Sequence, residues 1–525
     1  MYLVTAAEMR QMDRETIDSF GIPGRILMEN AGRGACRVFL EQFPALGQKR
    51  VAVVAGRGNN GGDGFVIARY LSHKGINVTV FLLAEQGKVS GDAAANLRLL
   101  KPMGVPVVEL PDQKTFSKHK TDLVHQDVWI DAIFGTGLNS DVRGYFRDVI
   151  EFINSSHKPV FAVDIPSGLN SDTGQPGGIC IRSQATATFG FAKTGHILFP
   201  GASFTGKLEI IDIGIPPHIV KSVNPKQHLL TPAVVRSAYK PRPPDYHKGK
   251  SGHLLVISGS PGKTGAAAMT AMSAVRAGAG LVTLGVPKNL NPILETQVVE
   301  AMTWPLPETS DGVLGETSFD QIMDLLSDKQ CLAIGPGIGQ SEETKDLVHR
   351  LVKACPVTIV MDADGLNNLA SNVEVLSTCD VPIILTPHPG EMARLIYSTP
   401  RQIQADRLNF ARDFAGKFKV HLVLKGARTV IGHPDGRVFI NPTGNSGMAS
   451  GGMGDVLTGM IAGFVTQGYS PETAARMGVY LHGAAADMLA RDMAPFGYLA
   501  TEVMNAIPSQ IRALEKSAQT GPPAI

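Results

Sequence analysis

The sequence predicts an α/β protein of two domains. Three observations carry that expectation. Short β-rich runs alternate with helical segments along most of the chain, the pattern of βαβ crossovers and parallel sheets. Glycine is abundant at 57 residues and aromatics make up only 6%, which suits many strand-to-helix turns. At 525 residues the chain exceeds one ordinary core, so two or three domains are expected.

Taken in order, Thr5 and Glu8 stand at capping-box spacing and predict a helix ending near Gly21. A second helix is expected from about Ile26 to Phe43. The runs RVAVVAG (50–56), INVTVFLL (76–83), VWIDAIF (128–134), PVFAVDIP (159–166) and KLEIIDIGIP (207–216) read as strands. Residues 216–250 are rich in proline and polar side chains and mark a boundary. Beyond it, GHLLVISGS (252–260), GLVTLGVP (280–287), CLAIGPG (331–337), VTIVMDAD (357–364), PIILTPHPGE (382–391) and HLVLKG (421–426) form a second strand series. A last helix precedes a frayed tail. The expected partition is a first domain over 1–220, a linker over 221–245 and a second domain over 246–515.

Composition narrows the function classes. The formal net charge is +2, with no basic block, so nothing points to nucleic acid or a membrane surface. Cys36, Cys180, Cys331, Cys355 and Cys379 are scattered, without a CxxC pair, and read as buried thiols in a reducing compartment. The start, MYLVTAAEMRQMDRE, lacks a basic segment followed by an apolar core, and no apolar run reaches ~18 residues. A cytoplasmic protein is expected.

In the first half, GRGNNGGDG (56–64) follows a strand and opens a helix. Gly56, Gly58 and Gly61 fit the dinucleotide fingerprint, and Glu85 near the next strand end is placed for a ribose. Asn59, Asn60 and Asp63 add polar side chains where that fingerprint wants small ones, so a phosphate- or ribose-binding turn with added function is expected. Asp131 and Asp164 end parallel strands, where ligands of open α/β sheets bind. The alternative is that one of them merely caps its loop. Asn60, Asp131 and Ser167 offer only oxygen atoms, which suits a hard cation such as K⁺, Na⁺ or Mg²⁺.

NNGGDG (59–64), DAIFGTGL (131–138) and DIPSGLNSDTG (164–174) together resemble the NAD(P)H-hydrate epimerase domain, over about residues 1–220. That resemblance implies a Rossmann-like three-layer α/β/α domain. It implies that Asn59, Asn60, Gly61, Gly62, Asp63, Gly135, Thr136, Gly137, Leu138, Asn139, Ser140, Asp141 and Asp164 bind the hydrated dinucleotide. It further implies K⁺ at Asn60, Asp131 and Ser167. Asp164 is the expected acid/base, with Lys193 a candidate partner, because inverting C6 of the damaged ring needs a proton moved at its hydroxyl or ring nitrogen.

In the second half, NSGMASGGMGD (445–455) lies between a strand and the apolar helix VLTGMIAGFV (456–465). Its glycines let backbone N–H groups face an anion at a helix N-terminus. Asp455 follows at once, and a carboxylate there suits taking a proton from a hydroxyl that attacks phosphorus. The alternative is a glycine turn with Asp455 as a cap. SGSPGKTGAA (258–267) is not a P-loop, since GxxxxGK[ST] needs glycine where Ile257 stands. His388, between two prolines, is expected to contact substrate, and Lys425 to reach nucleotide phosphates.

GPGIG (335–339), DADGLN (362–367), TPHPGE (386–391), KGART (425–429) and the 445–455 run are together similar to the ADP/ATP-dependent NAD(P)H-hydrate dehydratase, of the ribokinase-like superfamily, over about residues 230–510. The resemblance implies that Ala266, Gly337, His388 and Asp455 contact the hydrate. It implies that Lys425, Gly426, Ala427, Arg428 and Thr429, with Asn445, Ser446, Gly447, Met448, Ala449, Ser450, Gly451, Gly452, Met453 and Gly454, hold the nucleotide. The expected function is repair of hydrated NADH and NADPH (NADHX and NADPHX). The R and S forms are interconverted by the first domain. The S form is dehydrated by the second with ADP, expected with Mg²⁺, giving AMP and phosphate. No nucleic-acid or membrane partner is expected, and a homo-oligomer is. The alternatives are a ribokinase-like vitamin kinase and, for the first half, a binding or protein-interaction module only.

Overall fold

The computed structural model describes residues 1–138 and 140–519, with side chains through 515. It divides into two compact units, Tyr2–Gln227 and His228 onward, the latter taking in Met1.

The first unit is built on seven parallel strands: β1 (Val51–Ala55), β2 (Val78–Leu82), β3 (Val107–Glu109), β4 (Val128–Ala132), β5 (Val160–Val163), β6 (Ala185–Phe189) and β7 (Lys207–Ile211). Their order is β3-β2-β1-β4-β5-β6-β7. β1, β4, β5 and β6 are buried along their whole length, as strands covered on both faces must be. The chain reverses direction across the sheet between β1 and β4, and the crevice for a ligand opens there, outside their carboxyl ends. The glycine run after β1 turns directly into the Asn59–His73 helix. A Cβ on Gly61 would stand 1.9 Å from the Gly56 carbonyl oxygen, so only glycine permits this turn. The Thr5–Glu8 capping box is present and starts a helix over Ala6–Arg14, which continues as a π turn through Ser19 and stops at Gly21.

In the second unit nine strands lie side by side: β8 (His253–Ile257), β9 (Leu281–Pro287), β10 (Met302–Leu306), β11 (Cys331–Ile334), β12 (Thr358–Met361), β13 (Ile383–Leu385), β14 (His421–Leu424), β15 (Val430–Gly432) and β16 (Val438–Ile440). Their order is β16-β15-β14-β13-β12-β11-β8-β9-β10, parallel from β14 to β10 and antiparallel at β14–β15 and β15–β16. The alanine-rich helix Thr264–Ala277 packs against Met453–Thr466 at very close range. A Cβ on Gly459 would fall 2.0 Å from Ser273 Oγ. That contact fixes the helix whose first turn carries Asp455. The segment expected as a linker, 221–245, takes in the end of the helix Pro217–Val223 and all of Pro232–Ala238, and Leu230 and Val235 enter the second unit's core. β3, β6, β10 and β15 were not among the strands expected from sequence. Among the described residues no helix is long and apolar enough to cross a membrane.

Candidate active sites

The loops at the carboxyl ends of β1, β4 and β5 surround a cavity of about 1050 Å³. Asn59, Asn60, Asp63, Gly135, Thr136, Gly137, Leu138, Ser140 and Asp164 line it, as does Glu85. Asp164 takes a left-handed backbone conformation, φ 65°, at the end of its strand. Such strain in a non-glycine residue persists only where the surroundings hold it, and it collects at functional sites. The holder here is Lys193, whose ammonium is 1% exposed and donates to Asp164 Oδ1 at 2.7 Å. It donates also to Thr188 Oγ1 at 2.8 Å and to the Phe189 carbonyl at 3.1 Å, while Thr188 donates to the same Asp164 oxygen at 3.1 Å. Burial pushes the Asp164 carboxyl up, but the Lys193 charge and hydrogen bond outweigh it and hold the group below the usual carboxylate range. Asp63, buried nearby, is driven the other way, well above that range, by burial and by the Asp164 and Asp13 carboxylates.

Behind the lining, Ser167 clasps Asp131. The Ser167 amide donates to Oδ2 at 2.7 Å and its hydroxyl to Oδ1 at 2.6 Å. The hydroxyl also accepts from the Phe134 amide at 2.9 Å. Asp131 is pushed up to about 6 by burial, against those donors. Asn60 is buried with both Oδ1 and Nδ2 lacking a hydrogen-bond partner. A buried amide left unpaired is costly and marks a place for a ligand atom. Gly61 and Gly62 are not among the lining residues, and a Cβ on either would run into Gly56 or Met28, which are. Asp141 is exposed and lies 3.8 Å from Arg143, and Asn139 is outside the described residues.

In the second unit the loops after β8, β11, β12 and β13 converge with the first turn of the Met453–Thr466 helix. Lys425 Nζ donates to Asp362 Oδ1 at 2.6 Å and lies 3.8 Å from Glu391 Oε2. Thr458 donates to Asp362 Oδ2 at 2.8 Å. A Cβ on Gly454 would stand 3.2 Å from Asp362 Oδ2 and 3.3 Å from Lys425 Nζ, so the helix start rests on this ion pair. Asp455 follows on that turn, pushed up to about 6 by burial and by Asp362, with Lys425 opposing and Asp364 and Glu391 adding. Lys263 holds Asp364 at 2.8 Å, and Gln340 donates to it at 2.7 Å. Ala266 and Gly337 meet across this junction, with a Cβ on Gly337 3.3 Å from the Ala266 Cβ. His388 caps the Pro389–Leu395 helix, its Nδ1 accepting from the Gly390 amide at 2.9 Å, and the ring is half exposed. Gly426 and Ala427 are exposed, Arg428 donates to the Pro442 carbonyl, and Thr429 donates to the Gly426 carbonyl at 3.1 Å. Asn445 is held by Asp487 at 2.9 Å and Tyr498 at 2.6 Å, ahead of the Ser446–Met448 turn. Ala449, Ser450 and Gly451 are exposed, and Gly452 precedes the buried Met453.

Two family models match the chain, a YjeF-related protein N-terminus over residues 24–195 and an NAD(P)H-hydrate dehydratase over 254–509. A bifunctional NAD(P)H-hydrate repair enzyme of Moorella thermoacetica is 45% identical over 521 residues, covering 99% of this chain and 98% of the relative. The chain belongs to the family of bifunctional NAD(P)H-hydrate repair enzymes. A repair enzyme of Escherichia coli is 36% identical, covering 96% of this chain and 92% of its own. A solved ADP/ATP-dependent NAD(P)H-hydrate dehydratase of Bacillus subtilis, co-crystallised with ATP and magnesium, is 31% identical, with TM-score 0.48, covering 55% of this chain and 98% of that one.

The repair enzyme thus carries an epimerase half and a dehydratase half, as the sequence motifs led one to expect. What sequence reasoning missed is the charge partner set. Asp362 and Asp364 stood in the DADGLN motif without a role, Glu391 closed TPHPGE unremarked, and Lys263 and Asp13 carried no signal at all.

Proposed function

We propose that epimerisation takes place in the Asp164–Lys193 cavity and dehydration at Asp455, with ADP as the phosphoryl donor. The observation that carries this reading is the contrast between the two carboxylates. Asp164 is locked ionised by a buried ammonium, while Asp455 is poised near pH 6. An ionised carboxylate can take a proton, so Asp164 serves as base at the C6 hydroxyl or at a returning water. Asp455 is ionised at neutral pH yet basic enough to accept the proton of the C6 hydroxyl as that oxygen attacks the terminal phosphoryl group of ADP. The P–O bond to AMP breaks, and the C6 phosphate then leaves with loss of a ring proton, restoring the dihydropyridine. In this reading amides of the helix start and the 445–454 loop, with residues 425–429, hold the nucleotide phosphates.

The unpartnered buried Asn60 amide, with the oxygen-only donors of Asp131 and Ser167, suits a hard cation, and K⁺ is the proposed ion. Bound there, it would supply positive charge that orders the glycine loop. Mg²⁺ is proposed to accompany ADP. A cytoplasmic homo-oligomer is proposed, supported by the exposed Ile293, Val299, Met302 and Trp304 around the edge strand β10.

The test is to supply purified R and S hydrates with and without ADP or ATP and follow the return of NADH absorbance. The wild type should convert both with ADP, Asp164→Asn only the S form, and Asp455→Asn neither. Wild-type turnover by Asp455→Asn defeats the assignment.

A further inference from the structure

The first unit's cavity holds an acid that no step so far uses. Asp13 lies on the Ala6–Arg14 helix, outside the parallel sheet and its glycine loops. That helix is pinned beside the site. The Val4 amide donates to the Ala192 carbonyl at 3.0 Å, and the Ala6 amide to Asp172 Oδ1 at 2.7 Å. Met12 is fully buried in the core, while Arg10, Asp13 and Ile17 line the cavity. Among the described residues, no hydrogen bond or ion pair engages the Asp13 carboxyl. A half-buried acid without a structural partner, facing a substrate cavity, is available for chemistry.

The charges around it favour its neutral form. Burial pushes Asp13 up to about 6, with Lys193 opposing and Asp164 adding. Asp63 faces it from the Asn59–His73 helix. Acidic side chains outnumber basic ones in the whole lining, even counting Arg10, Arg57 and Lys88, and a dinucleotide adds its own pyrophosphate charge.

We propose that Asp13 is the proton donor of epimerisation. This rests on the Asp164 cavity being the epimerase site. The Asp13 O–H proton passes to the C6 hydroxyl oxygen. The C6–O bond breaks, its electron pair leaves with water, and the N1 lone pair forms C6=N1. A water then adds to the opposite face of C6, the pair returns to N1, and Asp164 takes the released proton. Proton exchange with solvent restores both acids.

The full-length protein is given pure R hydrate without nucleotide, and S hydrate is followed by chromatography. Asp13→Asn is expected to lose ~10²–10⁴-fold in kcat with little change in KM, and Asp13→Glu to retain part of the rate. The wild-type rate should fall above pH ~6, as the donor ionises, and this limb should be missing from Asp13→Asn. A wild-type rate in Asp13→Asn, or an unchanged alkaline limb, overturns the proposal. If Asp13→Asn fails to fold by thermal melting, the position of the limb in Asp13→Glu decides in its place, and an unmoved limb counts against. Asp164→Asn separates the two layers. If it stays active, the site assignment fails. If it is dead while Asp13→Asn is normal, only the donor assignment fails.

Discussion

Replacing Lys193 by methionine isolates what its buried charge does. Methionine keeps most of the apolar stem and removes the ammonium. In the wild type that ammonium is 1% exposed, Asp164 is 13% exposed, and they meet at 2.7 Å. Taking away one partner leaves a carboxylate desolvated without its counter-charge, which typically costs about 3–5 kcal/mol. For a unit of this size such a loss lowers the melting temperature by about 6–20 °C. The pH dependence supplies a sign. In the wild type the depressed Asp164 pKa contributes stability above the ordinary carboxylate range, lost as pH falls through the folded value. In Lys193→Met burial, the largest cause, is opposed by the Thr188 hydrogen bond but no longer by the ammonium, so the carboxyl is pushed up and its penalty shrinks as pH falls from 7 toward 5. Differential scanning calorimetry of the full chain, with epimerase and S-hydrate dehydration assayed in parallel, reads these effects. The variant should lower the melting temperature of the first unit and lose epimerase activity, and the Lys193→Met/Asp164→Asn double variant should recover much of the stability. A single variant that melts with the wild type at pH 7, or a double variant no more stable than the single, refutes the argument.

Three further outcomes are expected. Dehydration of S hydrate should rise with pH through about 6 as Asp455 loses its proton, and Asp455→Asn should remove ~10²–10⁴ of the rate together with that limb; a flat wild-type profile contradicts this. Exchanging K⁺ for tetramethylammonium should slow epimerisation, and Asp131→Ala should weaken both ion and substrate binding, while EDTA leaves this step alone; inhibition by EDTA with indifference to K⁺ would mark a divalent site. Burial holds His421 at about 4, His433 at about 2 and His482 at about 4, so they stay neutral folded and charge when unfolded near pH 6.5. Denaturant melts of the second unit should therefore lose about 1 kcal/mol per histidine between pH 6.5 and 5.5, partly offset by protonation of Asp455, and equal midpoints at both pH values would count against it.

Strands such as VAVVA and CLAI were legible because both faces are buried and every position is apolar. ATATF at β6 was not, because Thr186 and Thr188 look like surface polarity. Both hydroxyls are in fact fully buried, one donating to the Thr205 carbonyl at 2.6 Å and the other to Asp164. β10 was hidden by Pro305 and an exposed face, which an edge strand tolerates. At the sites, acids at strand ends and glycine turns were readable because local backbone geometry demands them. The pairing of Lys425 with Asp362, 63 positions away, was not legible, because no spacing rule announces so distant a pair. Asp13 was invisible for a similar reason: it reaches the cavity from a helix that belongs to neither glycine loop.

The two halves place carboxylates in like surroundings and obtain opposite behaviour from them. Asp164 and Asp455 both stand beside a glycine turn, largely withdrawn from water, within reach of a lysine's field. At Asp164 the ammonium binds the acid directly, and attraction exceeds desolvation. At Asp455 the corresponding ammonium is already consumed by Asp362, which Thr458 also stabilises, so Asp362 is the group held ionised and its charge raises its neighbour. Which acid the lysine touches thus sets which carboxylate stays permanently charged and which titrates near working pH. Environments that push paired acids apart are how one protein runs base and acid steps together. Asp13 and Asp164 repeat the arrangement within one cavity, the lysine-bound acid held ionised and the unpartnered one raised to about 6. An epimerisation that must give a proton on one side of C6 and take one on the other needs that pairing.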